Sequence, residues 1–237
     1  MVKKPKIRTT TNEAFITFID YSKAFDSVNH HHLFSTMSEL GFPKHLISLI
    51  SHMYTDQKAT IRWNGEHCSF FDIKRGVRQG CILSPHLFSI YTEMIMRKAD
   101  IEDLGISIGG RNITDLRYAD DTALLANDIT SMEEILDRVH NEGKKDVLLL
   151  NAKKTKVMHV NKRLDIQNVK VDNISLDYVT HFKYLGSIKE SDGSCLRHVK
   201  ARIGMAKQKT LQLTNIWKNR DIPNILKVKL IKTLYGQ

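Results

Sequence analysis

The sequence predicts an α+β fold in which helices pack on one face of a largely antiparallel sheet. Strand-length apolar segments are mixed with longer segments that have helical spacing, and the two do not alternate strictly as in a parallel sheet. Asn64-Gly65 is a turn sequence that joins neighbouring antiparallel strands. The chain has 237 residues, 41% of them hydrophobic, which is enough for one large domain or for one domain and part of another.

Local patterns assign the elements of the first half of the chain. Ser84 followed by Pro85 is typical of a helix start, and the apolar residues after Pro85 recur at helical spacing. Asn64-Gly65 predicts a tight hairpin turn. The predicted elements are a strand at Ala14–Asp20, helices at Leu33–Leu40 and Pro43–Tyr54 (Leu46, Leu49, Ile50 and Met53 on one face), hairpin strands at Ala59–Trp63 and Phe70–Ile73, and a helix from Ser84 that presents Leu87, Ile90, Tyr91, Met94 and Ile95.

The second half begins with two short strands around Ala119-Asp-Asp121, which places two carboxylates at a hairpin tip. Ser131 and Glu134 have the spacing of a capping box and predict the start of a helix. The predicted elements are strands at Ile113–Tyr118 and Thr122–Ala126, a helix from Ser131 through Val139, strands at Val147–Leu150 and Lys156–Val160, and helical segments around Val199–Trp217 and Ile225–Leu234.

The formal charge of +10 is unevenly distributed. Residues 1–141 contain 16 Lys and Arg against 18 Asp and Glu, whereas residues 142–237 contain 20 against 8. A basic second half suggests a polyanionic partner held on one face, and a solvated lysine surface explains the composition equally well.

Targeting and cysteine patterns suggest an intracellular protein, in the nucleus or the cytoplasm. No apolar run approaches the length of a transmembrane helix and residues 1–11 have no apolar stretch, so no membrane partner is expected. The three cysteines, Cys68, Cys81 and Cys195, lack zinc-site spacing, and we expect reduced thiols.

Three carboxylates, Asp20, Asp120 and Asp121, stand at the ends or turns of predicted strands. Carboxylates among apolar residues are costly unless something pairs with them. Two Mg²⁺ ions about 3.5–4 Å apart, or Mn²⁺ in their place, would relieve that cost and clamp the oxygens of an in-line phosphoryl transfer. An Asp-Asp pair alone is more often a simple turn, so other features must decide.

Five segments, in order, resemble the motifs of the reverse transcriptases of non-LTR (LINE-type) retrotransposons. Tyr-Ala-Asp-Asp alone would be weak, but five motifs in the family's order over roughly residues 14–190 are highly specific. The segments are Phe18-Ile-Asp-Tyr-Ser-Lys-Ala-Phe-Asp-Ser-Val28, Arg75-Gly-Val-Arg-Gln-Gly-Cys-Ile-Leu-Ser-Pro85, Tyr118-Ala-Asp-Asp121, Leu150-Asn-Ala-Lys-Lys-Thr155 and Phe182-Lys-Tyr-Leu-Gly186.

The resemblance implies a domain order and an activity. A basic tail at 1–13 would precede a right-hand polymerase palm at 14–190, and the start of a helical thumb would follow at 191–237. Because only 19 residues precede Asp20, the fingers are expected to be largely absent. The implied activity is that of an RNA-directed DNA polymerase that adds deoxynucleotides to a DNA primer on an RNA template.

The resemblance also assigns roles in metal and nucleotide binding. Asp20 and Asp120 would bind both metal ions, the Tyr21 carbonyl would be a further ligand, and Asp121 would contribute less directly. Phe25 matches the aromatic gate whose ring fills the space that a ribose 2′-hydroxyl needs; a core phenylalanine is the alternative.

The remaining motifs contribute a loop, a general acid and a primer contact. Gln79-Gly80 matches the loop beside the nascent base pair, where glycine permits close backbone approach. Lys154 matches the family's candidate general acid for the pyrophosphate leaving group, and a solvated lysine is the alternative. The run 144–150 lacks the glycine that the family usually places before this motif, which bears on the placement of Lys154. Tyr184, Leu185 and Gly186 match the primer grip.

Two other interpretations compete with that of an active reverse transcriptase. A catalytically inactive retroelement relic would bind nucleic acid through the basic half without polymerising, and without fingers we expect poor polymerisation by this chain. A different palm-type phosphotransferase, such as a nucleotide cyclase, would not explain Gln79-Gly80 or the primer grip. The basic residues Lys3, Lys4, Lys6 and Arg8 fit a nuclear import signal or an ordinary basic terminus. Template preference, target site and oligomeric state do not follow from the residues.

Overall fold

A computed structural model describes residues 14–160 and 168–235. The chain divides into two compact units between Thr180 and His181. The predicted basic tail, with Lys3, Lys4, Lys6 and Arg8, lies outside the described residues. The predicted boundary at 190/191 stays a prediction, and the segment 181–190 groups with the second unit.

The first unit contains thirteen of the described strands and five of the described helices. The strands are β1 (Ala14–Ile19), β2 (Lys58–Ala59), β3 (Arg62–Trp63), β4 (Glu66–His67), β5 (Phe71–Asp72), β6 (Ile106–Ile108), β7 (Arg111–Ile113), β8 (Asp115–Tyr118), β9 (Asp121–Ala126), β10 (Lys156–Val160), β11 (Lys170–Val171), β12 (Ile174–Ser175) and β13 (Asp177–Tyr178). The helices are α1 (Ala24–Ser27), α2 (His30–Glu39), α3 (Lys44–Tyr54), α4 (Ser84–Ala99) and α5 (Ile129–Lys145), with a 3₁₀ turn at Glu102–Leu104.

The second unit is a hairpin followed by helices. Its described elements are β14 (His181–Tyr184), β15 (Ser187–Glu190), α6 (Leu196–Gln212), α7 (Thr214–Lys218) and α8 (Asn224–Tyr235). The predicted helical segment 199–217 is therefore two helices that separate at Leu213. No helix within the two described ranges is long and apolar enough to cross a bilayer.

A five-stranded sheet in the order β13-β10-β1-β9-β8 forms the centre of the first unit. Every neighbouring pair is antiparallel except β10 with β13. Side chains of one face, including Phe15, Ile19 and Leu124, join a core with Phe88 of α4 and Leu136 of α5. Burial of each such side chain contributes about 1.5–3 kcal/mol. The predicted α+β class with a largely antiparallel sheet is confirmed.

Two predicted helix starts need correction. α5 begins after Asp128, whose carboxylate accepts hydrogen bonds from the backbone N–H and the hydroxyl of Ser131, each at 2.8 Å. The predicted capping box of Ser131 and Glu134 is therefore wrong. Asp128, three residues earlier, caps the helix, and Glu134 forms an ion pair with Arg138 at 2.6 Å instead. Ser84 lies within the first turn of α4 and donates to the Arg78 carbonyl at 2.5 Å rather than capping the helix.

The predicted strand at 147–150 is also wrong. After α5 the chain folds back, with Leu148 N–H donating to the Gly143 carbonyl at 2.8 Å, and its only strand-like pairing among the described residues is an isolated bridge between Leu150 and Tyr21. Val147 has φ +61°, a left-handed conformation that a β-branched residue rarely adopts. Apolar side chains gave this segment strand-like composition, but burial of Leu148 beside α5 decides its path.

The predicted hairpin turn is confirmed, whereas the predicted face of α3 is only partly buried. Asn64 and Gly65 have φ +49° and +88°, as a two-residue type I′ turn requires. In α3, Ile50 and Met53 pack against the core, but Leu49 is 65% exposed.

The Asp128 cap can be tested by chemical denaturation. We expect Asp128→Ala to lower the free energy of unfolding by about 1 kcal/mol because two bonds at the start of α5 are lost. Glu134→Ala removes only an exposed pair with Arg138 and should cost about 0.3–0.5 kcal/mol. Equal losses in the two variants would contradict the assigned cap.

Candidate active site

The antiparallel register of β1 and β9 brings the predicted carboxylates together. The register pairs Ile19 with Thr122, so one step further along both chains Asp20 lies beside Asp121. Asp120 precedes Asp121 in the turn between β8 and β9. Partial burial, followed by the charges of Asp120 and Asp20, raises the pKa of Asp121 above its ordinary value. The three carboxylates therefore share one negative field.

The other neighbour of β1 supplies a cation and two backbone anchors. Asp20 N–H donates to the hydroxyl of buried Thr155 at 3.3 Å, and Asn151 N–H donates to the Asp20 carbonyl at 2.8 Å. The Lys154 Nζ lies 3.8 Å from Asp20 Oδ2, and the Lys154 side chain is 70% exposed. The segment without the family's glycine thus still brings Lys154 to Asp20. Sequence reasoning had not identified Thr155 or Asn151 as supports.

Tyr21 lies on the helix-covered side of the sheet. Its ring meets Phe88 edge-on at a centroid distance of 6.3 Å, and burial raises the pKa of its phenol. Because successive side chains of an extended chain alternate between faces, Asp20 points away from the helices. The backbone on either side of Tyr21 is held by the bond from Asn151 N–H to the Asp20 carbonyl and by a 2.8 Å bond from Ser22 N–H to the Leu149 carbonyl.

Phe25 lies in the one-turn helix α1 after this segment. It is partly buried, and its ring centroid is 5.2 Å from that of Phe88. Its carbonyl accepts a 2.8 Å bond from Val77 N–H. This contact joins the first motif to the second and leaves both the gate and the core interpretations of the ring in place.

Gly76 is a second link between these two motifs, and sequence reasoning missed it. A Cβ here would lie 3.1 Å from the Asp26 Cα, and φ is +92°. Gly76 N–H donates to the Val28 carbonyl at 2.8 Å, and the Gly76 carbonyl lies 2.8 Å from His30 Nε2. Only glycine satisfies both the conformation and the close approach. Gly76 is part of the second motif, but the resemblance assigns a role there only to Gln79 and Gly80.

Gln79 and Gly80 form an exposed turn, closed by a 3.2 Å bond from Cys81 N–H to the Arg78 carbonyl. Gly80 has φ +80°, and a Cβ there would meet no atom of the described residues within 4 Å. Among those residues, glycine is needed here for its conformation and not for close packing. Approach to a base pair stays a prediction.

The predicted primer grip is a tight turn in the second unit. Tyr184 ends β14 and is buried, while Leu185 and Gly186 have φ +48° and +74°, as a type I′ turn requires. The three residues thus form one hairpin tip.

A charge network that the motifs did not reveal supports the strand leading to Asp120. Arg117 of β8 contacts Glu93 of α4 and Asp115, each at 2.6 Å, and Glu93 also contacts Arg97 at 2.6 Å. Burial opposes ionisation of Arg117, but Asp115 and Glu93 outweigh it and raise the guanidinium pKa. Burial likewise opposes the Glu93 charge, but hydrogen bonds from Arg97 and Arg117 hold its pKa below the ordinary range. The network fixes β8 to α4.

The donor set fits a hard divalent cation. Mg²⁺ prefers carboxylate and carbonyl oxygens, and partial burial together with the charges of Asp120 and Asp20 raises the pKa of Asp121. Within the described parts of the chain, no group of three or more His, Cys, Asp or Glu side chains is arranged around a metal position. Metal binding by Asp20, Asp120 and Asp121 therefore stays a prediction.

Comparisons with known proteins agree on one family. The family model described as reverse transcriptase (RNA-dependent DNA polymerase) matches residues 2–188. The chain is 30% identical over 182 residues to the Retrovirus-related Pol polyprotein from type-1 retrotransposable element R2 of Popillia japonica, covering 72% of this chain and 26% of that protein. It is 29% identical over 189 residues to the RNA-directed DNA polymerase from mobile element jockey of Drosophila funebris, covering 77% and 20%. The chain thus spans about a quarter or less of these relatives.

Two solved structures show a similar fold. Apo telomerase from Candida tropicalis, truncated from its C-terminal domain, has a TM-score of 0.54 at 16% identity, covering 81% of this chain and 36% of that chain. Another structure of apo telomerase from the same organism has a TM-score of 0.55 at 14% identity, covering 78% and 32%. At these identities the likeness shows the fold alone.

The Arg117 network predicts unequal losses from two arginines that contact the same Glu93. We expect Arg117→Ala to lower the free energy of unfolding by about 1–3 kcal/mol, because it leaves two partly buried carboxylates without their cation. Arg97 is 59% exposed, and Arg97→Ala should cost less than about 1 kcal/mol. Urea denaturation measures both; a loss from Arg97→Ala as large as that from Arg117→Ala would contradict the network's asymmetry.

The raised pKa of Asp121 predicts a pH-dependent gain in stability for Asp121→Asn. Above the raised pKa the folded state carries a charge that is partly buried and repelled by Asp120 and Asp20, whereas the unfolded chain does not, so the substitution should raise the melting temperature at pH 7 by about 1–2 °C. The gain should disappear as pH falls below about 4, where the carboxyl is protonated in both states. Asp103→Asn, at an exposed site, is the control. A gain that persists at low pH would exclude charge repulsion as its cause.

Proposed function

The chain belongs to the reverse transcriptase (RNA-dependent DNA polymerase) family, with relatives among non-LTR retrotransposon polyproteins, and from this we propose that it catalyses RNA-directed DNA synthesis. The observation that supports this most directly is the register of β1 and β9, which sets Asp20 beside Asp121. In this proposal the palm comprises residues 14–190, and 191–237 begins a thumb.

The proposed metal ligands are Asp20 and Asp120 for both ions, with the Tyr21 carbonyl as a further ligand and Asp121 in a lesser role. Bound Mg²⁺, or Mn²⁺, would stabilise the charge that develops as a deoxynucleotide is joined to the primer 3′-hydroxyl. The raised pKa of Asp121, caused by partial burial and by the charges of Asp120 and Asp20, supports this assignment, because a divalent cation would stabilise the ionised carboxylates.

Other residues would position the nucleotide and move a proton. Lys154 lies 3.8 Å from Asp20 and is mostly exposed, so its ammonium can reach a pyrophosphate leaving group and donate a proton to it. Phe25 would exclude a ribose 2′-hydroxyl. Gln79 and Gly80 would pack beside the nascent base pair, and the hairpin tip at Tyr184-Leu-Gly186 would contact the primer.

Charge supports an RNA template and a DNA primer as partners. The helix α6 carries five Lys and Arg residues and no acidic residue. Phosphate contacts from such a surface release counterions and favour binding with little sequence preference. The same observation favours a second candidate, a relic that binds nucleic acid without catalysis, because this charge does not depend on the carboxylates.

Primer extension distinguishes the two candidates. On a polyribonucleotide template with a DNA primer, the purified 237-residue chain should incorporate deoxynucleotides only slowly in the presence of Mg²⁺, and Asp120→Ala should lose at least about a hundredfold of that slow rate. Mg²⁺ at about 100 times its dissociation constant should also stabilise the wild-type chain by about 2.7 kcal/mol, and much less the Asp120→Ala chain.

Two outcomes would contradict parts of this proposal. Salt-sensitive binding of primer–template without Asp120-dependent extension would favour the relic. Extension that survives Asp120→Ala would contradict the assigned ligands.

Phe25→Val tests sugar selection. The smaller side chain should open space for a 2′-hydroxyl and increase ribonucleotide incorporation relative to deoxynucleotide. Loss of the contact with Phe88 should also lower stability, but instability alone reduces both rates together and leaves their ratio unchanged. Phe88→Leu, which disturbs the same ring pair from the core side, is the matched control. A ratio unaltered by Phe25→Val would assign Phe25 to the core.

A further inference from the structure

Residues 57–73 form a narrow ribbon that projects large apolar side chains into solvent. Its strands are paired as β2 with β5 and β3 with β4, around the Asn64-Gly65 turn, and every residue from 61 to 72 is exposed. Four large side chains are at least half exposed: Ile61 at 59%, Trp63 at 73%, Phe70 at 70% and Phe71 at 50%. Such a group is unusual on a soluble surface and indicates a binding site.

The ribbon and its flank are also a basic region within an acidic half of the chain. Residues 57–78 contain five Lys and Arg and two acidic residues, whereas the rest of residues 14–141 contains seven and fifteen. Lys58, Arg62 and Lys74 are exposed, and none forms an ion pair with a carboxylate that the structure describes. These positive charges are therefore available to an external anion.

At the ribbon tip, the cationic side chain of Arg62 is followed directly along the strand by the ring of Trp63. Arg62 pairs with His67, and the next pair is Trp63 with Glu66. A protein interface would favour a broad apolar centre depleted of charge, which a two-stranded ribbon of this composition does not present. Single-stranded nucleic acid fits better, because its bases stack on aromatic rings while its phosphates contact neighbouring Lys and Arg.

We propose that the 57–73 ribbon binds single-stranded nucleic acid, with bases stacked on Trp63 and Phe70 and phosphates held by Lys58, Arg62 and Lys74. None of these residues is a proposed metal ligand, and occupation of the ribbon does not require that the chain polymerises. Either RNA or DNA presents the required chemistry.

Trp63 is itself a reporter of this binding. The chain has two tryptophans, and Trp217→Phe removes the other while it keeps an aromatic ring in the second unit. In this 237-residue background, oligo(U) and oligo(dT) of about 12 nucleotides should each be titrated against Trp63 fluorescence. We expect saturable quenching by single strands, weakening as salt is added, and little quenching by a blunt duplex of the same length. The RNA and DNA arms show which strand is preferred.

Substitution separates stacking from general attraction. In an otherwise wild-type chain, Trp63→Leu keeps an apolar side chain but removes the ring, and it should weaken single-strand binding by about 5- to 100-fold in fluorescence anisotropy of a labelled oligonucleotide. The matched control is Ile108→Ala with Arg111→Ala, which removes an exposed apolar residue and a cation from the hairpin of β6 and β7. Its binding should be unchanged.

Several results would overturn the proposal. These are an absence of quenching, equal quenching by the duplex, and equal losses in Trp63→Leu and the control hairpin. A concentration-dependent shift of Trp63 emission without nucleic acid, together with self-association, would assign the ribbon to a second copy of the chain instead. Trp63 quenching is measured without deoxynucleotides and without Mg²⁺, so failure of the polymerase assay and failure of the ribbon site are distinguishable.

Discussion

The structure of the first unit depends on one constraint, the antiparallel register of β1 with its two neighbours. β1 occupies the middle of the sheet, and its pairing with β9 and β10 sets Asp121 on one side of Asp20 and Lys154 on the other. A slip of one residue would turn the carboxylate towards the helices and Tyr21 towards solvent. The register is secured by burial of Phe15 and its neighbours, so the hydrophobic core determines the arrangement of the polar site.

Gathering carboxylates opposes folding, and the surrounding structure compensates for it. Partial burial and the charges of Asp120 and Asp20, which raise the pKa of Asp121, act at the end of the β8–β9 hairpin, where backbone pairing ends. Arg117 holds the strand before that tip to α4 through Glu93, and Gly76 locks the start of the second motif against α1. Residues to which the motifs assign no role therefore keep the mutually repelling carboxylates in position. Active sites are commonly less stable than the scaffold that holds them.

Local signals predicted what local interactions determine. The strand before Asp20, the Asn64-Gly65 turn and the Asp-Asp tip all follow from a few adjacent residues, and all are present. The start of α5 and the segment 147–150 were predicted wrongly, because an earlier cap and the burial of Leu148 prevailed over plausible local patterns. Pairs such as Arg117 with Glu93 join residues 24 apart, and no spacing rule selects them from the other charged pairs.

An enzyme that acts on phosphate esters with bound metal ions needs carboxylates that attract the metal but repel the substrate, and the charge distribution of this chain bears on that requirement. Carboxylates that attract metal ions repel the phosphates of both substrate and template, and screening weakens but does not remove that repulsion within about 10 Å. In this chain the acidic residues concentrate in residues 14–141, while cations collect in the 57–73 ribbon with its flank and in α6. Under the proposed function, cations in these segments would hold the nucleic acid, and only the reacting phosphate would need to enter the negative field of the carboxylates, where bound cations would neutralise it.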